Sequence, residues 1–146
     1  MKTFESYARW ISGKKGELTF ENGRRIEFSS PVDFGGVEGS VVPEELLVAS
    51  LNACLHMTFL TIAQEMRLEI ESFESQAEGH LDTMGNETQF VKCTLRPRVL
   101  VSSPEDVSRA EKAISLAKKR CFIANSANFE VSVEPSVHVT GTGRFT

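Results

Sequence analysis

The chain has 146 residues and a mass of 16.2 kDa, with 40% hydrophobic and 25% charged residues. That is the composition of one soluble globular domain, residues 1–146, with enough chain to bury roughly 70% of its unfolded surface. With 16 Lys and Arg against 20 Asp and Glu, the net charge is −4. No cationic excess is available for phosphate, which argues against nucleic acid as the main partner.

The N-terminus places Glu5 and Arg9 where a secretory leader would have its apolar run, so no leader is expected. Residues 4–11 and 16–21 read as short strands around the turn Gly13-Lys14-Lys15-Gly16. The turn at Asn22-Gly23 leads into a third strand, Arg25–Ser29. Ser30–Ser40, with Pro31, Gly35, Gly36 and Gly39, reads as a loop.

From Leu46 to Gln64 no residue carries a formal charge, a length that on its own would pass for a membrane span. Ser50, Asn52, His56, Thr58, Thr61 and Gln64 are spread along the run, and no second span exists to partner them. A helix buried on nearly every face is the better reading, and no membrane partner is expected. Pro43 suits its first turn, and Glu44 and Glu45 suit the positive end of its dipole. Continued to about Arg67, it would be roughly 36 Å long. One domain of this size has difficulty covering such a helix, so a homodimer is expected.

Leu68–Asp82 alternates loosely, and Met84-Gly85-Asn86 makes a turn. Phe90–Val101 alternates cleanly, with Val91, Cys93, Leu95, Val99 and Val101 on one face; Pro97 predicts that this strand is an edge or carries a bulge. Ser103 as cap, Pro104, Glu105 and Asp106 open a helix whose apolar stripe is Val107, Ala110, Ile114, Ala117 and Cys121. Phe129–Thr140 reads as a final strand. The order predicts an α+β fold with segregated layers.

The cysteines are Cys54, Cys93 and Cys121, with no CxxC and no histidine at metal spacing, so no metal site is expected. An odd number of thiols fits a cytoplasmic protein. Taken alone, Cys54 reads as a small apolar residue in a core, and mid-helix placement denies it the dipole that acidifies a thiol. A cation from elsewhere would be needed to activate it. Cys121 ends the apolar stripe of its helix and could meet Cys54, although spacing alone does not bring them together. Cys93 belongs to the apolar face of its strand. His56, two residues from Cys54, is turned by about 200° around the helix and cannot act as its base. His80 and His138 read as structural or exposed.

The segment Pro43-Glu44-Glu45-Leu46-Leu47-Val48-Ala49-Ser50-Leu51-Asn52-Ala53-Cys54, with Ala117-Lys118-Lys119-Arg120-Cys121 downstream, closely resembles the OsmC/Ohr family of organic hydroperoxide reductases. The resemblance implies an intertwined homodimer of long central helices packed on sheets, with active sites at the subunit interface. It implies that Cys54 attacks a peroxide, that Cys121 resolves the sulfenic acid to a disulfide, and that an external dithiol resets the pair, with no cofactor. Glu44 matches the family's active-site glutamate; ten residues of helix, about 15 Å, separate it from Cys54, so it would serve the other subunit's thiol. The family's activating arginine lies near the first hairpin turn, where this chain offers Lys14 and Lys15, with Arg24 and Arg25 at the next turn. Val42 stands before Pro43, where the family commonly has a polar residue.

The expected activity is thiol-dependent reduction of organic hydroperoxides or hydrogen peroxide. The alternative is a catalytically weak dimer that binds an apolar small molecule in its interface cleft. Cysteine–histidine acyl transfer would need a histidine other than His56.

Overall fold

A computed structural model describes residues 1–141. The chain forms two compact units, one comprising Met1–Leu47 and the other beginning at Val48.

The first unit is an antiparallel meander of β1 (Ser6–Ser12), β2 (Lys15–Phe20) and β3 (Arg25–Ser29), in that order. Gly13 and Gly23 turn the chain with φ of 51° and 84°, conformations that suit residues without a Cβ. A short 3-10 turn, Val32–Phe34, follows. The Ser29 hydroxyl accepts the Val37 N–H at 3.1 Å, and Val41 pairs with Phe28. These contacts fold the glycine-containing loop back on β3 before the chain reaches Pro43.

Helix α1 spans Pro43–Glu65. Its end has a defined cause: Leu68 N–H bonds to Ala63 C=O at 2.8 Å and Arg67 N–H to Gln64 C=O at 3.1 Å, with Arg67 at φ 53°. This is a Schellman closure with an arginine at the left-handed position that usually holds glycine. The pattern expected to run to Arg67 therefore stops as a helix two residues earlier.

In the second unit, β4 (Ser72–Met84) and β5 (Glu87–Val101) form a long antiparallel hairpin. Helices α2 (Glu105–Arg120) and α3 (Phe122–Ser126) follow, then β6 (Glu130–Val133) and β7 (Ser136–Val139), both parallel to β5. The expected strand Phe129–Thr140 is thus two strands, interrupted at Glu134–Pro135.

The edge expected from Pro97 is corrected: β5 is the central strand, with β4 on one side and β6 and β7 on the other, and its register shift against β4 lies at Val91, opposite His80 and Leu81, not at Pro97. Glu134 N–H bonds to Leu95 C=O at 2.8 Å, so Leu95 faces the parallel side. Backbone groups alternate sides along a strand, which turns the Pro97 nitrogen the same way, to the break between β6 and β7. The missing N–H falls where no partner is required. Pro97 itself is buried, in phase with Cys93, Leu95, Val99 and Val101.

The core joins Leu51, Leu55, Phe59, Ile62 and Ala63 of α1 to Cys93, Leu95, Val99 and Val101 of β5 and to Ala110, Ala113, Ile114 and Ala117 of α2. The contact between α1 and the sheet is close at Gly79, where an added Cβ would stand 2.6 Å from Val48 Cγ2. Burial of α1 on every face is not what one chain achieves. A single stripe is covered, while Leu47, Met57 and Leu60 stay exposed. Arg109 fastens the end of α1 to α2 by bonding to the Met66 carbonyl and to Asp106.

Candidate active site

Cys54 stands midway along α1, half-buried, and Cys121 stands fully buried where α2 ends. The fold brings the two close enough for each thiol to shift the other's acidity, and all three cysteines are free. Cys121 reaches this position because it is in phase with Ala110, Ala113, Ile114 and Ala117, small residues that let α2 lie close on the core.

Two opposed effects act on Cys54. Burial pushes its pKa up, and the Cys121 thiol, the backbone N–H of Ile123, the Thr58 hydroxyl and the backbone N–H of Phe122 together outweigh it, so the pKa lies below its ordinary value. For Cys121 the raising effects prevail over the backbone N–H groups of Ala124 and Ile123, which lower it. Burial comes first, then the hydrogen bond and charge of Cys54, and its pKa is pushed up to about 11. The pair thus divides into a thiol ready to ionise and one that keeps its proton. The groups that favour the Cys54 thiolate are neutral donors.

Thr58 is one turn beyond Cys54. Its hydroxyl donates to the Cys54 carbonyl at 2.8 Å, and its oxygen lies 4.0 Å from the Cys54 sulfur. An open cleft of about 580 Å³ extends from the thiol, lined by Met57, Thr58, Thr61, Ile62, Arg120 and Phe122 among others. At its far end Arg120 pairs with Glu65 at 3.6 Å. Phe122 is largely exposed beside the thiol.

The remaining candidates lie elsewhere. Cys93 is buried in β5, and burial raises its pKa. The ring of His56 stacks on Phe73 with centroids 4.0 Å apart, and burial holds its pKa below the ordinary value. His80 pairs with Glu78 at 2.8 Å, and His138 is bonded to Ser136. In the first unit, Lys14 Nζ donates to the Phe34 carbonyl at 2.9 Å and Lys15 pairs with Glu27 at 3.1 Å, while Arg24 and Arg25 are exposed. Glu44 lies in the first turn of α1, and its Oε2 is buried without a hydrogen-bond partner among the described residues. Among those residues no group of three His, Cys, Asp or Glu could hold a metal.

Sequence reasoning missed the backbone donors at Phe122 and Ile123, because a main-chain N–H leaves no trace in residue identity. Arg120 was legible only as a favourable charge at the end of a helix.

Residues 36–136, which contain both the α1 segment and Cys121, match the family of OsmC-like proteins. The chain belongs to the OsmC-like family. It is 31% identical to an OsmC-like protein of unknown function from Vibrio cholerae, with a TM-score of 0.84 over 92% of this chain and 99% of that one. An organic hydroperoxide resistance protein OsmC from Legionella pneumophila shares the fold at 21% identity and TM-score 0.74, covering 94% and 98% of the two chains. The uncharacterized protein YmaD of Bacillus subtilis is 26% identical over 140 residues, 92% of this chain and 93% of its own.

Proposed function

We propose that this protein is a thiol-dependent peroxidase that reduces organic hydroperoxides or hydrogen peroxide with Cys54 as the attacking and Cys121 as the resolving cysteine. The observation that carries the reading is that the fold sets Cys54 in one cleft with Arg120 and Phe122, the neighbours of Cys121, so that the two thiols shift each other's acidity in opposite directions. Family membership, together with structural neighbours named organic hydroperoxide resistance proteins from Legionella pneumophila, Elizabethkingia anophelis and Bacillus subtilis, supports a peroxide-related role.

In this reading the Cys54 thiolate attacks the distal oxygen of the peroxide. The O–O bond breaks, the leaving alkoxide takes a proton to become the alcohol, and Cys54 is left as a sulfenic acid. Oxidation removes the charge on Cys54, and with it the part of the Cys121 shift that this charge causes. The Cys121 sulfur then attacks the sulfenic sulfur, water leaves, and a disulfide forms. An external dithiol reduces that disulfide by exchange and is itself oxidised. A reducing compartment such as the cytoplasm would supply it.

A homodimer is part of the proposal. Leu47, Met57 and Leu60 of α1 are apolar and uncovered in one chain, and a second copy is the occupant the family resemblance implies. In such a dimer, the Glu44 Oε2 that has no hydrogen-bond partner among the described residues would orient a cation toward the partner subunit's thiol.

The test is stoichiometric peroxide loss by pre-reduced protein. Cys54→Ser should abolish it, and Cys121→Ser should leave a sulfenic acid trapped at Cys54. Undiminished peroxide loss by Cys54→Ser would end the assignment. One observation favours the second reading, a catalytically weak binder of apolar molecules: the donors to Cys54 are neutral and the cleft beside it is largely apolar. Peroxide inertness with saturable binding of a hydrophobic fluorophore, lost on Met57→Glu, would establish it.

A further inference from the structure

We infer that Thr58 is a positioning residue that holds the distal O–H group of the peroxide against the Cys54 sulfur. This rests on the peroxidase reading above and adds a residue to it.

A threonine hydroxyl has one proton. At Thr58 it is committed to the Cys54 carbonyl at 2.8 Å, a bond made within the helix to the residue four positions earlier. The same happens one turn on, where the Thr61 hydroxyl donates to Met57 C=O at 3.0 Å. The Thr58 hydroxyl also lies beside the Cys54 sulfur and helps to lower its pKa, and both residues line one cleft. A hydroxyl oxygen has two lone pairs, so whichever way its proton points it can still accept a hydrogen bond. What it offers is an acceptor, 4.0 Å from the nucleophile.

A hydroperoxide needs that acceptor. Its distal oxygen carries the hydrogen, and this is the oxygen the thiolate attacks. A near-attack geometry puts it about 3–3.5 Å from the sulfur, and a hydrogen bond to the Thr58 oxygen puts it about 2.8 Å from that atom. With the two protein atoms 4.0 Å apart, both distances are satisfied at once. Access already favours attack at the distal oxygen, which bears no carbon; an acceptor beside the thiolate holds that protonated oxygen in line with the sulfur. Attack at that oxygen breaks the O–O bond and expels the alkoxide down the cleft. The hydrogen stays on the oxygen transferred to sulfur. Thr58 neither gains nor loses a proton.

The test compares Thr58→Val, which keeps the shape and removes the acceptor, with Thr58→Ser, which restores it. Each reduced protein is mixed with tert-butyl hydroperoxide and, separately, with methyl methanethiosulfonate, a thiol reagent with no hydrogen to donate. Compared at equal thiolate fraction, which allows for the upward shift of the Cys54 midpoint that loss of the hydroxyl brings, Thr58→Val should slow oxidation of Cys54 by peroxide about three- to tenfold, leave the thiosulfonate rate unchanged, and recover in Thr58→Ser. Oxidation of Thr58→Val at the parent rate would overturn the inference. So would equal slowing with both reagents, which would mean that Thr58 acts on the thiol itself, or a Thr58→Ser variant as slow as Thr58→Val. A parent protein inert to peroxide at Cys54 would overturn the peroxidase reading and this inference with it; a reactive parent matched by Thr58→Val would remove this inference alone.

Discussion

The Cys121 thiol, buried where α2 ends, lies near enough to the Cys54 sulfur midway along α1 to favour the Cys54 thiolate. One contact produces two opposite changes in acidity. Deprotonating Cys54 is favoured because a proton remains on Cys121 to stabilise the charge, and deprotonating Cys121 is opposed by that same charge. Alkylation of the reduced protein should therefore modify Cys54 first, with a pH midpoint below that of Cys121 or Cys93. Replacing Cys121 by Ala should move the Cys54 midpoint upward, which mass-resolved iodoacetamide labelling across pH would measure.

Alkaline stability should carry the signature of Cys121. Its folded pKa is about 11, above its ordinary value of 9.0, so between those values the folded state binds the proton more tightly than the unfolded chain. The associated stability is fully present below pH 9 and lost as pH rises towards 11. Urea midpoints under reducing conditions should fall over that window, and fall less steeply in Cys121→Ala.

His56 predicts a loss at the other end of the scale. Burial lowers its pKa below 6.5, so the unfolded chain takes up the proton first. Stability from the neutral ring, stacked on Phe73, is present above pH 6.5 and is lost as pH falls through the folded value. His56→Phe keeps the stack and should flatten the dependence of the urea midpoint on pH in that range.

The end of α1 offers a stabilising change. Arg67 occupies a left-handed conformation that opposes its Cβ, inside a closure whose hydrogen bonds are both made. Arg67→Gly should raise stability by up to about 1 kcal/mol, the relief of strain being partly offset by the greater freedom of glycine in the unfolded chain. In contrast, Phe59→Ala, which empties a fully buried site against Phe73, should cost about 3–5 kcal/mol. Thermal unfolding of both variants would check the two signs.

The dimer proposed from the uncovered face of α1 makes a direct prediction. Sedimentation should give a particle of twice 16.2 kDa, and Leu60→Glu, placing a charge on that face, should yield monomers with the fold retained by circular dichroism. A monomeric parent would leave Leu47, Met57 and Leu60 without the occupant argued for here.

Much of this was legible in the residues, because local physics acts over a few positions. Pro43 with two glutamates opened α1, Asn22-Gly23 turned the first sheet, and the spacing from Val107 to Cys121 gave α2 and the phase of its cysteine. The α1 segment with its distant cysteine was enough to name the family. What sequence could not settle depended on neighbours brought from elsewhere. Pro97 signalled an edge, yet it lies in the central strand, since its missing N–H faces the gap at Glu134–Pro135; strand order, not propensity, decided that. The acidity of Cys54 was expected to require a cation. Tertiary packing instead brought the Cys121 thiol and two main-chain N–H groups to it, donors whose strength depends on direction and distance and has no counterpart in composition.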